Sequence, residues 1–288
     1  MEILSFGAGM QSTALALMSC ENAMAGGRDY YPHPLIPVYD AVIFCDLGLE
    51  ASWVYEQLLF VQHACEKAGI PFYVLESNLY EDYTRNYGER RVVSIPWWTV
   101  KENGQRGKVS RRFCTLDYKA TRIANFVRWE LLGYKKGSRN RPEDLKAHTM
   151  HIGFSIEEQH RCKENPHPFF VNRFPLVELG LDRAANYTYI LDTWGLATKA
   201  SSCSFCPFHR NFFFKKIKET DPAHYAKILD FDRLLASKKP HPAMDAQFFI
   251  SRSWKRLEDL TEEDCNDAEC FEYCGKHTDR PIMIWNGF

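Results

Sequence analysis

The amino terminus constrains the fold more than any other part of this chain. Glu2 to Phe6 is short and apolar, the glycine-containing run SFGAGMQS follows, and from Thr13 to Ala23 apolar residues recur at helical spacing. Strand, glycine turn and helix make the first half of a βαβ unit, and the chain goes on in the same way. Ala41 to Cys45 predicts a second buried strand ending at Asp46, Trp53 to Ala68 a second helix, and Pro71 to Leu75 a third strand behind the stop signal Gly69. Strands alternating with helices predict an α/β fold with a doubly wound, mostly parallel sheet and helices on both faces.

From Tyr80 to Phe113 the periodicity fails. The segment is basic and aromatic, with Pro96, Trp97 and Trp98 near its centre, and it reads as a long functional loop, a basic lid over about 80–113. Helical spacing resumes over Tyr118 to Leu132, a basic linker spans Gly133 to Lys146, and Thr149 to Phe154 predicts the strand that completes the sheet. Beyond Arg173 come a strand-like FPLVE, a helix around Arg183 to Trp194, the loop SSCSFCPFH, and helical segments to about Ala236. The expected division is a nucleotide-binding domain over 1–178 and a helical C-terminal lobe over 179–288 that carries the CxxC loop. No repeat or low-complexity tract is present.

With 288 residues the chain can bury a sizeable core without metals or disulfides, and 45% apolar with 25% charged residues excludes disordered, collagen-like and coiled-coil classes. No run approaches the roughly 18 apolar residues of a membrane span and no secretory leader pattern opens the sequence, so the expected location is the cytoplasm. The ten cysteines then read as thiol or metal chemistry rather than a disulfide framework. Cys20, Cys45 and Cys65 sit inside apolar-periodic segments and are expected to be small buried hydrophobes. Net charge is −1, but Arg85 to Arg122 holds ten Lys or Arg against three acidic residues, whereas Leu257 to Gly275 holds eight acidic residues and no Lys or Arg. One face is expected to be basic.

The loop Ser5–Ser12 is the leading candidate for chemistry. A strand delivered into Ser5, Phe6, Gly7, Ala8 and Gly9 brings backbone amides close to an anion. Gln11, Ser12 and Thr13 stand at the positively polarised start of a helix. The pattern suits a phosphate, although it matches neither the dinucleotide GxGxxG nor the phosphate-loop GxxxxGK[ST]. A tight turn that simply needs glycine is the plainer alternative. Arg111, Arg112 and Lys119 surround Cys114, and Arg161 adds a cation if the segments converge; together they can clamp phosphate or sulfate. Glu157 is placed to form a helical ion pair with Arg161 instead. Cys203 and Cys206 have the spacing with which two thiolates grip a metal ion or cluster, with Cys114 as a third; zinc and a redox dithiol are the competing readings. His148, His151 and His167 show no metal spacing.

SFGAGMQSTALAL, FCDLGLE, RRFCTLDYK, IGFSIEEQHR and SSCSFCPFH, in that order over about residues 1–210, resemble the motifs of the PP-loop ATP pyrophosphatase superfamily, particularly its phosphoadenosine phosphosulfate reductase branch. The resemblance implies ATP with Mg2+ bound at the carboxyl ends of the strands, Asp46 helping to hold the metal or nucleotide, and Gly153 and Arg112 joining the nucleotide site. It also implies a [4Fe–4S] cluster on Cys114, Cys203 and Cys206, as in the sulfurtransferases of the superfamily. LDRAANYTYI lacks the further cysteine that many relatives carry, so either the cluster has three protein ligands, its fourth iron position open to hold sulfide, or a fourth ligand comes from His209, Cys162 or the group Cys265, Cys270 and Cys274. The implied reaction adenylates a substrate, expels pyrophosphate and transfers sulfur, with Cys114, Lys119, Arg161 and Asp46 as the catalytic set. A nucleic acid is the expected acceptor, contacted through the basic aromatic stretch and Trp97 or Trp98, and a sulfur donor protein is an expected partner. Two alternatives stand beside it. One is reduction of adenylyl sulfate or its phosphorylated form, with Cys274 of YCGKHT as nucleophile. The other is a non-catalytic nucleotide or nucleic-acid sensor.

Overall fold

The computed structural model describes residues 1–26, 32–89, 95–109, 112–240 and 246–266. Arg111, Cys270 and Cys274, all named above, lie outside them. Five parallel strands form the main sheet: β1 (Glu2–Phe6), β2 (Ala41–Asp46), β3 (Phe72–Glu76), β6 (His148–Ile152) and β7 (Phe170–Arg173), in the order β3-β2-β1-β6-β7. Three antiparallel strands, β4 (Trp98–Lys101), β5 (Arg106–Lys108) and β8 (Ala246–Phe249), form a second sheet in the order β5-β4-β8.

Alternation along the strands sorts the core. Leu4, Phe6, Val42 and Phe44 point into one apolar cluster with α1 (Met10–Met24) and α2 (Ser52–Ala68). Ile3, Ala41, Ile43 and Cys45 point to the other face, under Ile123, Ala124 and Val127. Those last three belong to a helix whose α-helical centre, α4 (Thr121–Phe126), is flanked by the π-helical turns Leu116–Ala120 and Val127–Leu131. The chain first winds outward from β1 to β3 and then crosses back over β1 to β6. Because crossovers keep one hand, the reversal of direction places α4 on the opposite face. The doubly wound, mostly parallel α/β sheet expected from the alternation is what the chain forms.

Three expectations are corrected. The strand-like FPLVE is the short helix α5 (Pro175–Glu178), since Pro175 fixes a helical φ at its first position. The fifth strand is β7 just before it, paired parallel to β6, so the sheet is not complete at residue 154. The stretch 80–113 is not one long loop. It holds most of α3 (Leu79–Asn86) and the β4–β5 hairpin, and β4 pairs with β8. Its sequence lacks periodicity because this small sheet is short and stands on a core of aromatic rings rather than on aliphatic ones. Trp97 there is fully buried at 0% exposure, donates its indole N–H to the Tyr83 hydroxyl at 2.9 Å, and packs on Phe231 and Phe248. Trp97 is therefore a core residue and not a surface for stacking a base. The remaining helices are α6 (Arg183–Trp194), α7 (Asn211–Thr220) and α8 (Pro222–Ser237). Among the described residues no helix is long and apolar enough to cross a membrane.

Candidate functional site

The order of the main sheet reverses between β1 and β6, and ligands of open α/β sheets settle in the crevice at such a point, outside the carboxyl ends of the strands. The loop after β1 and the residue after β6 close on each other there. Gly153 packs so tightly against the start of α1 that a Cβ would stand 2.7 Å from the Ser12 nitrogen and 2.9 Å from the Gln11 carbonyl carbon. Ser12 ties the loop from within: its hydroxyl accepts from the Gly7 amide at 3.2 Å and donates to the Gly9 carbonyl at 3.1 Å. Ala8 holds a left-handed φ of 52°, costly for a residue with a Cβ, and its carbonyl accepts from the Gln57 side chain. Gly9 is the N-cap of α1, and no side chain caps that helix. Its first-turn amides point outward in the arrangement that binds anions.

A cavity of about 440 Å³ opens at this point. Ser5, Gly7, Gly9, Gln11, Ser12 and Gly153 line it, as do Arg112, Lys119 and Arg161. Nine of the residues expected to bind or process a nucleotide therefore share one cavity. Phe6, Ala8 and Thr13 belong to the same loop but are buried in the core behind it. Lys119 is carried on the π-helical turn Leu116–Ala120, a local distortion that commonly marks functional sites.

Residues that were not anticipated complete the wall: Arg183 at the start of α6, Glu158, Thr115 and Ser201. Glu158 is 7% exposed and organises one side. Its carboxylate accepts from the Gln11 amide at 2.9 Å, pairs with Arg161, and lies 3.4 Å from Arg183. The ion pair expected from Glu157 is thus made by Glu158. Ile156–Arg161 is a 3-10 helix, in which residues three apart eclipse, so the fourth-residue spacing does not apply. Glu157 instead accepts from the Arg183 backbone amide at 3.1 Å. Glu158 lies within the IGFSIEEQHR segment singled out in the sequence and was findable on that ground; no local signal distinguishes Arg183.

The loop that carries the cysteine pair docks directly on this cavity. The Gln57 side chain bonds to the backbone of Lys199 and to Ala8, the Trp53 indole donates to the Ala200 carbonyl at 3.0 Å, and Ser204 donates its amide to the Leu49 carbonyl at 2.8 Å. Ser201 stands where a Cβ on Gly9 would be. Cys203 and Cys206 are hydrogen-bonded to each other. The Cys203 thiol, the Phe208 amide and the charge of Arg112 bring the Cys206 thiol down to about 7, while the Cys203 thiol is pushed up. Glu50, 2% exposed, bridges Cys203 through its backbone, and burial raises its carboxyl pKa while Lys119 opposes the rise.

Cys114 is half-buried against the main core. Among the described residues no group of three or more His, Cys, Asp or Glu side chains stands close enough to share a metal ion. Cys203 and Cys206 are adjacent, and Cys114 packs against the same core as Cys203. The His209 Nε2 donates to the Cys203 carbonyl at 3.1 Å, and its ring stacks on Phe213. Cys162 is half-buried near Glu158, and Cys265 is buried. Cys20, Cys45 and Cys65 are buried as expected, and desolvation pushes the Cys45 thiol up to about 12. Asp46 lies at the end of β2, where its Oδ1 accepts from the Gly48 amide at 2.8 Å and the Tyr55 hydroxyl at 3.1 Å.

No family model matches this sequence. No curated protein matches it either. Among solved structures it is similar to the U34-tRNA thiolase NcsA from Methanococcus maripaludis with its [4Fe–4S] cluster, at 14% identity and a TM-score of 0.32, over 89% of this chain and 78% of that one. A likeness of that size carries no weight for function, which rests on the geometry of the cavity.

Proposed function

We propose that this chain is an ATP-dependent enzyme that adenylates an oxygen of its substrate, with release of pyrophosphate, and replaces that oxygen with sulfur delivered through Cys206. The observation that carries the reading is the convergence of the Ser5–Ser12 loop, Gly153 and the cations Arg112, Lys119, Arg161 and Arg183 on one cavity, with Ala200 and Ser201 of the cysteine loop in its wall. The uncapped amides at the start of α1 and the loop backbone hold the phosphates, and Mg2+ travels with the triphosphate. The substrate oxygen attacks the α-phosphorus, the bond to the β-phosphate oxygen breaks, and Lys119 with the arginines stabilises the charge on departing pyrophosphate. Asp46, already bonded to Gly48 and Tyr55, holds the turn that carries Glu50.

We assign the sulfur carrier to Cys206, beside which the Cys203 thiol, the Phe208 amide and the Arg112 charge favour a thiolate. Its thiolate takes the outer sulfur from a donor protein's persulfide, which leaves as a thiolate. The terminal sulfur then attacks the activated carbon, and the carbon–oxygen bond breaks with loss of AMP. Cys203 attacks the Cys206 sulfur, frees the thiolated product and leaves a Cys203–Cys206 disulfide, which an external dithiol reduces. Cys203 and Cys206, with Cys114, are also the residues that would hold an iron–sulfur cluster, which would then supply the sulfur in place of the persulfide.

The test is incubation with ATP labelled at the α-phosphate, a persulfide donor and candidate acceptors, followed by separation of AMP and pyrophosphate. Wild type yields both in equal amounts. Cys206→Ser yields pyrophosphate and adenylated acceptor without sulfur incorporation. Release of ADP and phosphate in place of AMP and pyrophosphate sinks the adenylation reading, and four irons per chain bound through Cys203 sink the free-thiol reading.

A further inference from the structure

A cluster of cations and aromatic rings lies beside the cysteine loop, outside the nucleotide cavity. The β4–β5 hairpin supplies Trp98, Arg106 and Lys108, the cysteine loop ends in Phe208, and the chain after β8 supplies Trp254. Both tryptophans are fixed through their nitrogens: Trp98 donates to the Pro207 carbonyl and Trp254 to the Gly107 carbonyl, each at 3.1 Å. The two rings meet edge to face with centroids 5.2 Å apart. Arg106 sits 5.2 Å from the Trp254 ring centre, and Lys108 sits 4.6 Å from that of Trp98 and 4.2 Å from that of Phe208.

Three features set this patch apart from an ordinary solvated basic face. Phe208 is 44% exposed although it follows the buried Pro207, so a large ring is presented to solvent in the middle of the cations. Trp254 has a φ of 55°, a backbone conformation that costs a residue with a side chain of this size on the order of 1–3 kcal/mol and that collects at functional sites. Arg112 faces the Phe208 ring at 5.1 Å and also lines the nucleotide cavity, so patch and cavity are continuous. Burial first, and then the nearby charges of Arg252 and Arg112, make Lys108 easier to deprotonate. An acidic polypeptide would use the cations and leave the rings idle. A single nucleic-acid strand uses both, phosphates on the cations and bases on the rings.

We infer that Trp98, Phe208 and Trp254, with Arg106 and Lys108, form a platform for an unpaired nucleic-acid strand and present one of its bases to the nucleotide cavity across Arg112. The inference rests on the sulfur-transfer reading and names its acceptor. Phe208 offers its exposed ring to a base as Lys108 moves off it to a flanking phosphate, and Arg106 holds another.

The test uses the full chain and fluorescein-labelled 12-mers of oligouridylate and oligothymidylate, which separate RNA from DNA, read by fluorescence anisotropy across a salt series. A duplex of the same length and polyglutamate serve as competitors. Phe208→Ala should weaken strand binding about 5- to 150-fold, the usual worth of one stacked base. Arg106→Ala with Lys108→Ala should lower the slope of log affinity against log salt by about 1.4, two single-strand phosphate contacts. Phe208→Leu, which keeps an apolar side chain, should fold normally and still lose binding. ATP affinity, measured separately by calorimetry, should be unchanged in all three. The platform is overturned if wild type does not bind the strands, if duplex or polyglutamate competes as well as a strand does, or if the variants bind like wild type. Loss of ATP binding by wild type with strand binding intact would instead overturn the adenylation reading alone.

Discussion

Replacement of Gly153 by alanine probes the crevice directly. A Cβ there would lie 2.7 Å from the Ser12 nitrogen, 2.9 Å from the Gln11 carbonyl carbon and 3.0 Å from the Ser12 Cα, well inside the 3.4 Å at which ordinary contact begins. All three neighbours are backbone atoms in the first turn of α1, so no side chain can swing away. Either β6 or the start of α1 has to move. Forcing one methyl into a packed contact of this kind costs roughly 1–3 kcal/mol of stability. The atom pushed is the amide proposed to hold a phosphate, and a hydrogen bond to a charged group contributes about 1.5–3 kcal/mol, so ATP affinity should fall on the order of 10- to 100-fold. Gly7→Ala is the stability control, because a Cβ at Gly7 meets only the Ser12 hydroxyl at 3.9 Å. Denaturant titration gives the stability term and calorimetry with ATP the affinity term. If Gly153→Ala binds ATP as wild type does and unfolds at the same midpoint, the crevice does not work as described.

Other expectations follow from the same geometry. Glu158→Ala leaves Arg161 and Arg183 without their shared carboxylate and frees Gln11. With Arg161 itself exposed, stability should drop by only about 1–2 kcal/mol by thermal unfolding, and ATP affinity should change with it. Lys119→Ala should slow pyrophosphate release 10²- to 10³-fold with little change in ATP affinity, since its charge acts on the leaving group; equal losses in both would make it a binding residue. His209 titrates at about 4, below its ordinary 6.5, because burial disfavours the imidazolium. The unfolded chain therefore takes up this proton first as the pH drops. Stability from His209 is complete above about 6.5 and is lost progressively down to about 4, by on the order of 1–2 kcal/mol for a ring that keeps some solvent contact. A pH series of denaturant midpoints for wild type and His209→Phe should diverge in that window; parallel curves would show that the ring is not buried neutral.

Much of the crevice between β1 and β6 is legible in the sequence because it is local. The strand, the Ser5–Ser12 turn and α1 are consecutive; the ends of β1, β2 and α2 fall within one residue of where periodicity places them, and those of α1 within three. What depends on distant pairing is not legible. Trp97 reads equally well as a stacking surface or as core until Tyr83, Phe231 and Phe248 are brought around it from three separate segments. FPLVE has the composition of a strand, yet Pro175 turns it into a helix and the sheet takes its last strand from FVNR instead. Arg183 opens a helix whose sequence shows only amphipathic packing, and it reaches the cavity because Glu158 stands opposite. The cysteines show the same divide. Cys203 and Cys206 are adjacent in sequence and in space, whereas the convergence of Cys114 with them depends on tertiary placement that spacing does not encode.

The most direct test of the central claim is a crystal structure with α,β-methylene-ATP, which binds like ATP but cannot release pyrophosphate. The account predicts its phosphates in the crevice between β1 and β6, within hydrogen-bond distance of the amides of Gly9 to Ser12 and of Lys119 and Arg161, with the α-phosphate turned toward the loop of Cys203 and Cys206. Phosphates bound elsewhere on the chain, or the crevice left to solvent at saturating nucleotide, would contradict it.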